Sequence, residues 1–513
     1  MNRTAPLTRS RKVGLFLGPL LFLLIVWITP ETPFLGKPAH HTLAVGTWMI
    51  TWWITEAVAL PVTALLPIVL FPLAGVMPIK EAAAPYANPI IFLFMGGFML
   101  ALALEKWKLH LRIALNIVRL TGTNANGIIL GFMLATAALS MWISNTATTV
   151  MMLPIGVSVI EILRKRTPSP KNDQENDPEN EDEAVTKGTR YFSLTMMLGI
   201  AYAANIGGVA TIIGTPPNTV LAGILNEKFN YTIDFTRWLA IGLPLSLIML
   251  GITYLFLVKL LYPNRLGNFE GAQQVIKDEL AKLGKINRAE RIVLVLFLTT
   301  AFCWIFKNSL NNLFPAWQLT DASIAMIASV ALFVTPIDYK KGVFVLEWKD
   351  TERLPWGILI LFGGGLSLAS ALSAVGIIGI IGDGIGVVGG SLNVSVIFLI
   401  LVTLMLFMTE VMSNVALTAV LVPVVAGVAV GLNENPLWMT IPVTIAASCA
   451  FMLPMATPPN AIVFASGYIK VSQMVRVGIF LNIIAILLLI LLANTALPYI
   501  FDIQRGVLPD WAQ

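Results

Sequence analysis

The chain has 513 residues, 57% of them hydrophobic and only 12% charged, with a net charge of +5 and a mean hydropathy of +0.81. Ordinary soluble domains carry about 25% charged residues, and a water-soluble fold of this length could not hide so much apolar surface, so the composition defines a polytopic membrane protein, with an all-α fold expected, and gives no sign of a nucleic-acid partner. Two cysteines (Cys303, Cys449) inside apolar runs suggest no disulfide framework, and the three histidines (His40, His41, His110) lack metal-ligand spacing.

Arg3, Arg9, Arg11 and Lys12 precede an apolar run over 13–28. More apolar runs follow at once and no small-x-small cleavage pattern appears, so this stretch is predicted to be an uncleaved first transmembrane helix rather than a signal peptide. A spanning helix needs about 20 apolar residues. Spans are predicted at 13–29, 43–54, 56–73, 90–105, 191–225, 237–261, 291–309, 321–336, 356–382, 437–469 and 476–499, eleven in all. Runs 127–163 and 394–431 each suit two half-length helices and are predicted as re-entrant hairpins.

With the N-terminus in the cytoplasm, this arrangement puts the basic loops on one side: Lys106 to Arg119, Arg164 to Arg190, 262–290 and 337–355. Loops 30–42, 74–89, 226–236, 310–320 and 430–436, poor in Lys and Arg, fall on the other, as does the tail 501–513. Residues 167–186, inside the segment 164–190, are acidic and proline-containing, the composition of a disordered linker. Residues 269–290 carry the periodicity of an interfacial helix.

The chain repeats itself. Ser144-Asn145 and Ser413-Asn414 lie 269 residues apart, as do Pro154 and Pro423, and Pro67 and Pro336, while Gly97 and Gly365 differ by 268. Thr215-Pro216-Pro217-Asn218 and Thr457-Pro458-Pro459-Asn460 differ by 242, so the first copy holds 27 extra residues, about the length of the acidic insert. The expected organisation is a first helix and loop (1–42) followed by one repeat (43–261) with hairpin 127–163 and broken helix 191–225. A cytoplasmic linker (262–290) leads to a second repeat (291–500) with hairpin 394–431 and broken helix 437–469, then the tail 501–513. Five predicted spans separate the hairpins, and an odd number inverts the second copy, the pattern of a secondary transporter.

Non-helical backbone at membrane depth is tolerated only where it lines a cavity or is buried in protein. Hydroxyl, amide and freed carbonyl oxygens suit a hard cation such as Na⁺, and helix N-termini suit an anion. Neither motif contains Lys or Arg, so bound Na⁺, helix dipoles and hydroxyls would balance an anionic substrate, which couples anion to cation. Buried carboxylates are costly and often functional. Glu410, directly before the second motif, is a proton site or an orienting acceptor. An embedded enzyme would need a nucleophile–base pair or a metal cluster, and none is visible.

The stretches ALSMWISNTATTVMMLP, GTPPN, TEVMSNV and FMLPMATPPNAI resemble the divalent anion:sodium symporter family, which includes the INDY-type dicarboxylate transporters. The resemblance covers nearly the whole chain. It implies a homodimer working by an elevator motion, with Na⁺ co-transported and no organic cofactor. It implies a first Na⁺ site at Ser140, Ser144, Asn145 and the Gly214 carbonyl, and a second at Thr409, Asn414 and the Met412 and Ala456 carbonyls. Substrate carboxylates would meet Ser144, Asn145, Thr146, Thr215, Ser413, Asn414 and Thr457, with Val415 at the position of the second motif where the family's bacterial dicarboxylate pattern has threonine. The expected function is Na⁺-coupled import of C4-dicarboxylates (succinate, malate, fumarate) at the inner membrane, with Na⁺/sulfate symport or Na⁺-independent dicarboxylate exchange as alternatives.

Overall fold

The computed structural model describes residues 9–28, 36–122, 124–166, 179–267, 270–377, 380 and 393–512. Its described elements are helical except for one short antiparallel ribbon, Pro336–Asp338 against Val343–Phe344. Eight described helices are long and apolar enough to cross a membrane, or nine if the pair Arg288–Ile305 and Lys307–Leu313, bent by 77°, is one span.

The first part of the chain forms α1 (Arg9–Ile28), α2 (Lys37–Thr55), α3 (Leu60–Thr63), α4 (Leu66–Leu73), α5 (Ile79–Ala83), α6 (Pro89–Lys106) and α7 (Leu109–Leu120). Then come α8 (Ala125–Ser140), α9 (Asn145–Arg166), α10 (Glu179–Val209), α11 (Pro216–Phe229) and α12 (Phe235–Leu255). After α13 (Glu270–Leu283) follow α14 (Arg288–Ile305), α15 (Lys307–Leu313), α16 (Asp321–Val334) and α17 (Trp356–Ala374). The chain ends with α18 (Val394–Met408), α19 (Asn414–Gly431), α20 (Pro436–Ser448), α21 (Pro458–Ala465), α22 (Val471–Asn494) and α23 (Ala496–Phe501).

Several expectations shift. The expected crossings 43–54 and 56–73 become one long helix, α2, followed by the short α3 and α4. Glu56 takes a left-handed φ of 46° at the end of α2, and prolines at the first turns of α3 and α4 restart the chain. The acidic segment falls only partly on described residues: 179–186 already belong to α10, and 167–178 lie outside the description. Pro67 and Pro336 are not structural equivalents, since Pro67 sits in the first turn of α4 and Pro336 opens a strand.

Close helix contacts are made where small residues let backbones approach. Gly14 and Gly18 of α1 face Thr55 and the Trp48 and Trp52 rings of α2. Gly96 of α6 lies against the backbone of Ala325 in α16, and Gly364 of α17 against the backbone of Ala64 beside α3. The core runs along α10, wholly buried over 192–209, whereas most of α1 is uncovered, with Phe16 and Trp27 exposed. α10 packs on α8, α9 and α21; α20 packs on α18, α19 and α11. These two bundles carry the four polar breaks.

Candidate functional site: one cavity built from four helix breaks

Each break has a local cause. Ser144 and Ser413 end the turns after α8 and α18, and their hydroxyls accept from the amides of Ala147 (3.3 Å) and Ala416 (3.5 Å), capping α9 and α19. Thr215 and Thr457 are extended residues (φ −141° and −140°) before two prolines that occupy the first helical positions of α11 and α21. The asparagine that closes each Thr-Pro-Pro-Asn is a staple. Asn218 Nδ2 donates to the carbonyls of Thr211 (2.9 Å) and Gly208 (3.4 Å). Asn460 Nδ2 donates to those of Leu453 (3.1 Å) and Ala450 (3.1 Å), the same pattern displaced by 242 residues.

The Ser-Asn breaks match as closely. Ser140 Oγ lies 2.6 Å from Asn145 Oδ1 and 2.7 Å from the Ala204 carbonyl. Displaced by 269 residues, Thr409 Oγ1 lies 2.7 Å from Asn414 Oδ1, and it is 2.8 Å from the Ala447 carbonyl. In each group one hydroxyl hydrogen serves two acceptor oxygens, so the cluster has more lone pairs than donors. That imbalance suits a hard cation. Ser140 and Thr409 are fully buried.

The breaks meet. Ser144, Asn145, Thr146, Gly214, Thr215, Met412, Ser413, Asn414, Val415, Ala456 and Thr457 line one cavity of about 990 Å³. Ser140 and Thr409 sit behind its wall, bonded to the asparagines that face it. Every candidate site residue is therefore in the wall or one hydrogen bond behind it. Four helix N-termini, those of α9, α11, α19 and α21, border the same space. Its lining includes one ion pair, Arg11 to Glu56 (3.2 Å, both half-exposed). A smaller recess of about 300 Å³ shares Ser144 and Thr146 and is bordered by Glu105 and Arg353. Near it, on the loop before α17, Asp350 pairs with Lys106 at 2.6 Å. Burial alone would raise the Asp350 pKa, but the Glu347 amide and Lys106 hold it below the usual carboxylate value. Among the described residues no group of His, Cys, Asp and Glu could hold a metal ion.

Several contributors lie outside the sequence motifs. Glu410 is buried and accepts from the amides of Phe451 (2.9 Å), Met452 (3.0 Å) and Leu453 (3.1 Å) and from Asn482 Nδ2 (2.8 Å). These bonds make it the acceptor that orients the break before α21. At the equivalent place in the first half Thr211 Oγ1 donates to the Met141 carbonyl (2.6 Å). Asn205 Nδ2 crosses from α10 to Thr457 Oγ1 (3.0 Å) and Asn460 Oδ1 (3.4 Å) and also lines the cavity. Gly208 faces Asn145: a Cβ there would stand 2.5 Å from Asn145 Oδ1. No motif marks Asn205 or Gly208 in sequence; the displaced staple asparagines were visible in the repeat.

A multi-pass helical bundle whose polar breaks converge on a cavity is the build of a membrane transporter. Solved structures agree at the level of fold. The chain is similar to the YdaH transporter of Alcanivorax borkumensis (TM-score 0.58, 13% identity, covering 90% of this chain and 99% of that one). It is also similar to MtrF of Neisseria gonorrhoeae, described with a class of antimetabolite efflux pumps (TM-score 0.56, 12% identity, 98% and 97% covered). The chain belongs to the sodium:sulfate symporter family, whose transmembrane-region model matches residues 10–501. Its relatives include sodium-dependent dicarboxylate transporters of Staphylococcus saprophyticus (38% identical over 498 residues, 96% of this chain and 92% of that one) and Staphylococcus aureus strain USA300 (38% over 514 residues, 98% and 94%). It is a transporter rather than an enzyme.

Proposed function

We propose that this protein is a Na⁺-coupled symporter that imports C4-dicarboxylates such as succinate, malate and fumarate across the inner membrane of a bacterium. The observation that carries this reading is the single cavity bordered by four helix N-termini and backed by two oxygen-rich, donor-poor clusters. The N-termini favour a dianion without a lysine or arginine at the motifs. The clusters at Ser140/Asn145 and Thr409/Asn414, with the Gly214, Met412 and Ala456 carbonyls in the cavity wall, offer Na⁺ an uncharged oxygen shell.

Filling both clusters places positive charge beside the anion. The empty cavity then binds dicarboxylate weakly and the Na⁺-loaded one binds it well, which is the differential affinity that coupling requires. Substrate carboxylates would take Ser144, Asn145, Thr146, Thr215, Ser413, Asn414 and Thr457 as partners, with Val415 adding a methyl group. The relatives are sodium-dependent dicarboxylate transporters, which supports both the cation and the substrate class.

The same reading gives two inverted repeats, 43–261 and 291–500, with re-entrant hairpins at 127–163 and 394–431. It gives a cytoplasmic N-terminus, an extracytoplasmic C-terminus and a homodimer in which the cavity-bearing bundles move as an elevator. The basic loops support the orientation. The recurrence of the same hydrogen bonds at fixed offsets supports the repeat.

Labelled succinate uptake into proteoliposomes tests the function. An inward Na⁺ gradient should drive accumulation, and Asn145→Ala or Asn414→Ala should abolish it while the protein still elutes as a folded dimer. Uptake indifferent to the gradient would remove the coupling, and full transport by both variants would remove the site. Sulfate competing with succinate would mark the anion class as broader than dicarboxylates.

A further inference from the structure

The two halves use the same staples, yet the bridge made by Asn205 has no counterpart. Ala204 and Ala447 are equivalent, since each accepts from the buried hydroxyl of its own half. The next residues are Asn205 and Ser448, and both line the cavity. In one half, Asn205 Nδ2 reaches across to Thr457 Oγ1 and Asn460 Oδ1. The equivalent bridge in the other half would run from residue 448 on α20 to Thr215 and Asn218 at the start of α11, and α20 does pack on α11. Serine is too short to make it. Ser448 Oγ and Asn218 Oδ1 are both buried and neither has a hydrogen-bond partner. Thr444 Oγ1, one helical turn before Ser448, is likewise fully buried and unpartnered.

The chemistry of the gap is restricted. Asn218 Nδ2 is already committed to two carbonyls, so its Oδ1 must face the gap, and a carbonyl-type oxygen repels an anion. A cation or a hydrogen-bond donor satisfies it, and neither the Ser448 nor the Thr444 hydroxyl donates to it. Leaving such a group unmet costs about 1–3 kcal/mol, and here three oxygens share the deficit. The position is distinct from the two clusters described above, because in the other half the Asn205 bridge and the Thr409/Asn414 cluster use different residues.

We propose that Asn218 Oδ1, Ser448 Oγ and Thr215 Oγ1 form a further Na⁺ site, on the side of the cavity where the other half has the Asn205 amide, with Thr444 Oγ1 beside it. The proposal rests on the Na⁺-coupled reading and adds a third, asymmetric ion to it. An ion there ties α11 to α20 as Asn205 ties α10 to α21, each within its own bundle, so the break before α11 is fastened to α20 only when Na⁺ is bound.

The decisive variant is Ser448→Asn, which supplies the missing amide donor. Thermal unfolding of purified protein without substrate, in NaCl against choline chloride, reads the site independently of the cargo. The variant should match or exceed the wild-type midpoint in choline, and its Na⁺-induced upward shift should shrink. In proteoliposomes its Na⁺ concentration for half-maximal uptake should rise about tenfold, with a shallower Na⁺ dependence, the scale of losing one ion worth about 1.4 kcal/mol. Thr444→Val and Ser448→Ala should move the Na⁺ dependence the same way, and they decide the matter if Ser448→Asn does not fold. A wild-type Na⁺ shift and activation curve in these variants would overturn the proposal and leave a buried water in the gap. Absence of Na⁺-driven succinate uptake by the wild type would count against the substrate reading, while the thermal shift would still decide the ion site.

Discussion

Gly208 is the residue on which the first cluster turns. It has no side chain because Asn145 occupies that space: a Cβ would stand 2.5 Å from Oδ1 and 3.1 Å from Nδ2. Asn145 cannot retreat without leaving Ser140. Gly208→Ala should therefore lower Na⁺-driven uptake by about two orders of magnitude, the scale on which an ångström of misplacement acts at a site. Initial rates at equal reconstituted protein check this, and a near-wild-type rate would show that Asn145 has room to move. Val415 is the complementary case. It lines the cavity where the first repeat has Thr146, and threonine is close to it in volume. Val415→Thr adds one hydroxyl, and one neutral hydrogen bond is worth about 1 kcal/mol, so the KM for succinate should fall about fivefold. An unchanged KM would place that side chain out of reach of the substrate.

At the scale of elements, the four breaks do not hold their shape by backbone bonding alone. Prolines start α11 and α21, and side chains from elsewhere fix the segments that precede them. Glu410 does most of this for the break before α21, with bonds to three successive amides and to Asn482. Glu410→Ala leaves those donors buried and unmet, at a cost of about 3 kcal/mol or more, and should lower the thermal midpoint together with uptake. Loss of uptake at an unchanged midpoint would instead mark the carboxylate as a transported-proton or ion group. Sequence reasoning left both readings open because Glu410 and its acceptor role are separated by about forty residues of chain.

At the scale of the whole molecule, the half-exposed Arg11 and Glu56 line the cavity, and Met455 in its wall is strongly exposed. In a background lacking Cys303 and Cys449, a Met455→Cys protein should react with a membrane-impermeant thiol reagent in inside-out vesicles and not in intact cells. Na⁺ with succinate should slow that reaction. Equal labelling from both sides would contradict the proposed orientation. The membrane class, the family, the paired motifs and the motif residues of the cavity wall were legible in the chain, because a polar side chain is costly in apolar surroundings and its recurrence at a fixed offset stands out. What only the tertiary structure decided is how those groups are spent. Asn218 and Asn460 are staples, Glu410 is an orienting acceptor, and Asn205 has a partner where Ser448 has none. These assignments depend on which side chains lie across from each other, and the partners of Asn205 are about 250 residues away, a distance over which composition and periodicity carry no signal.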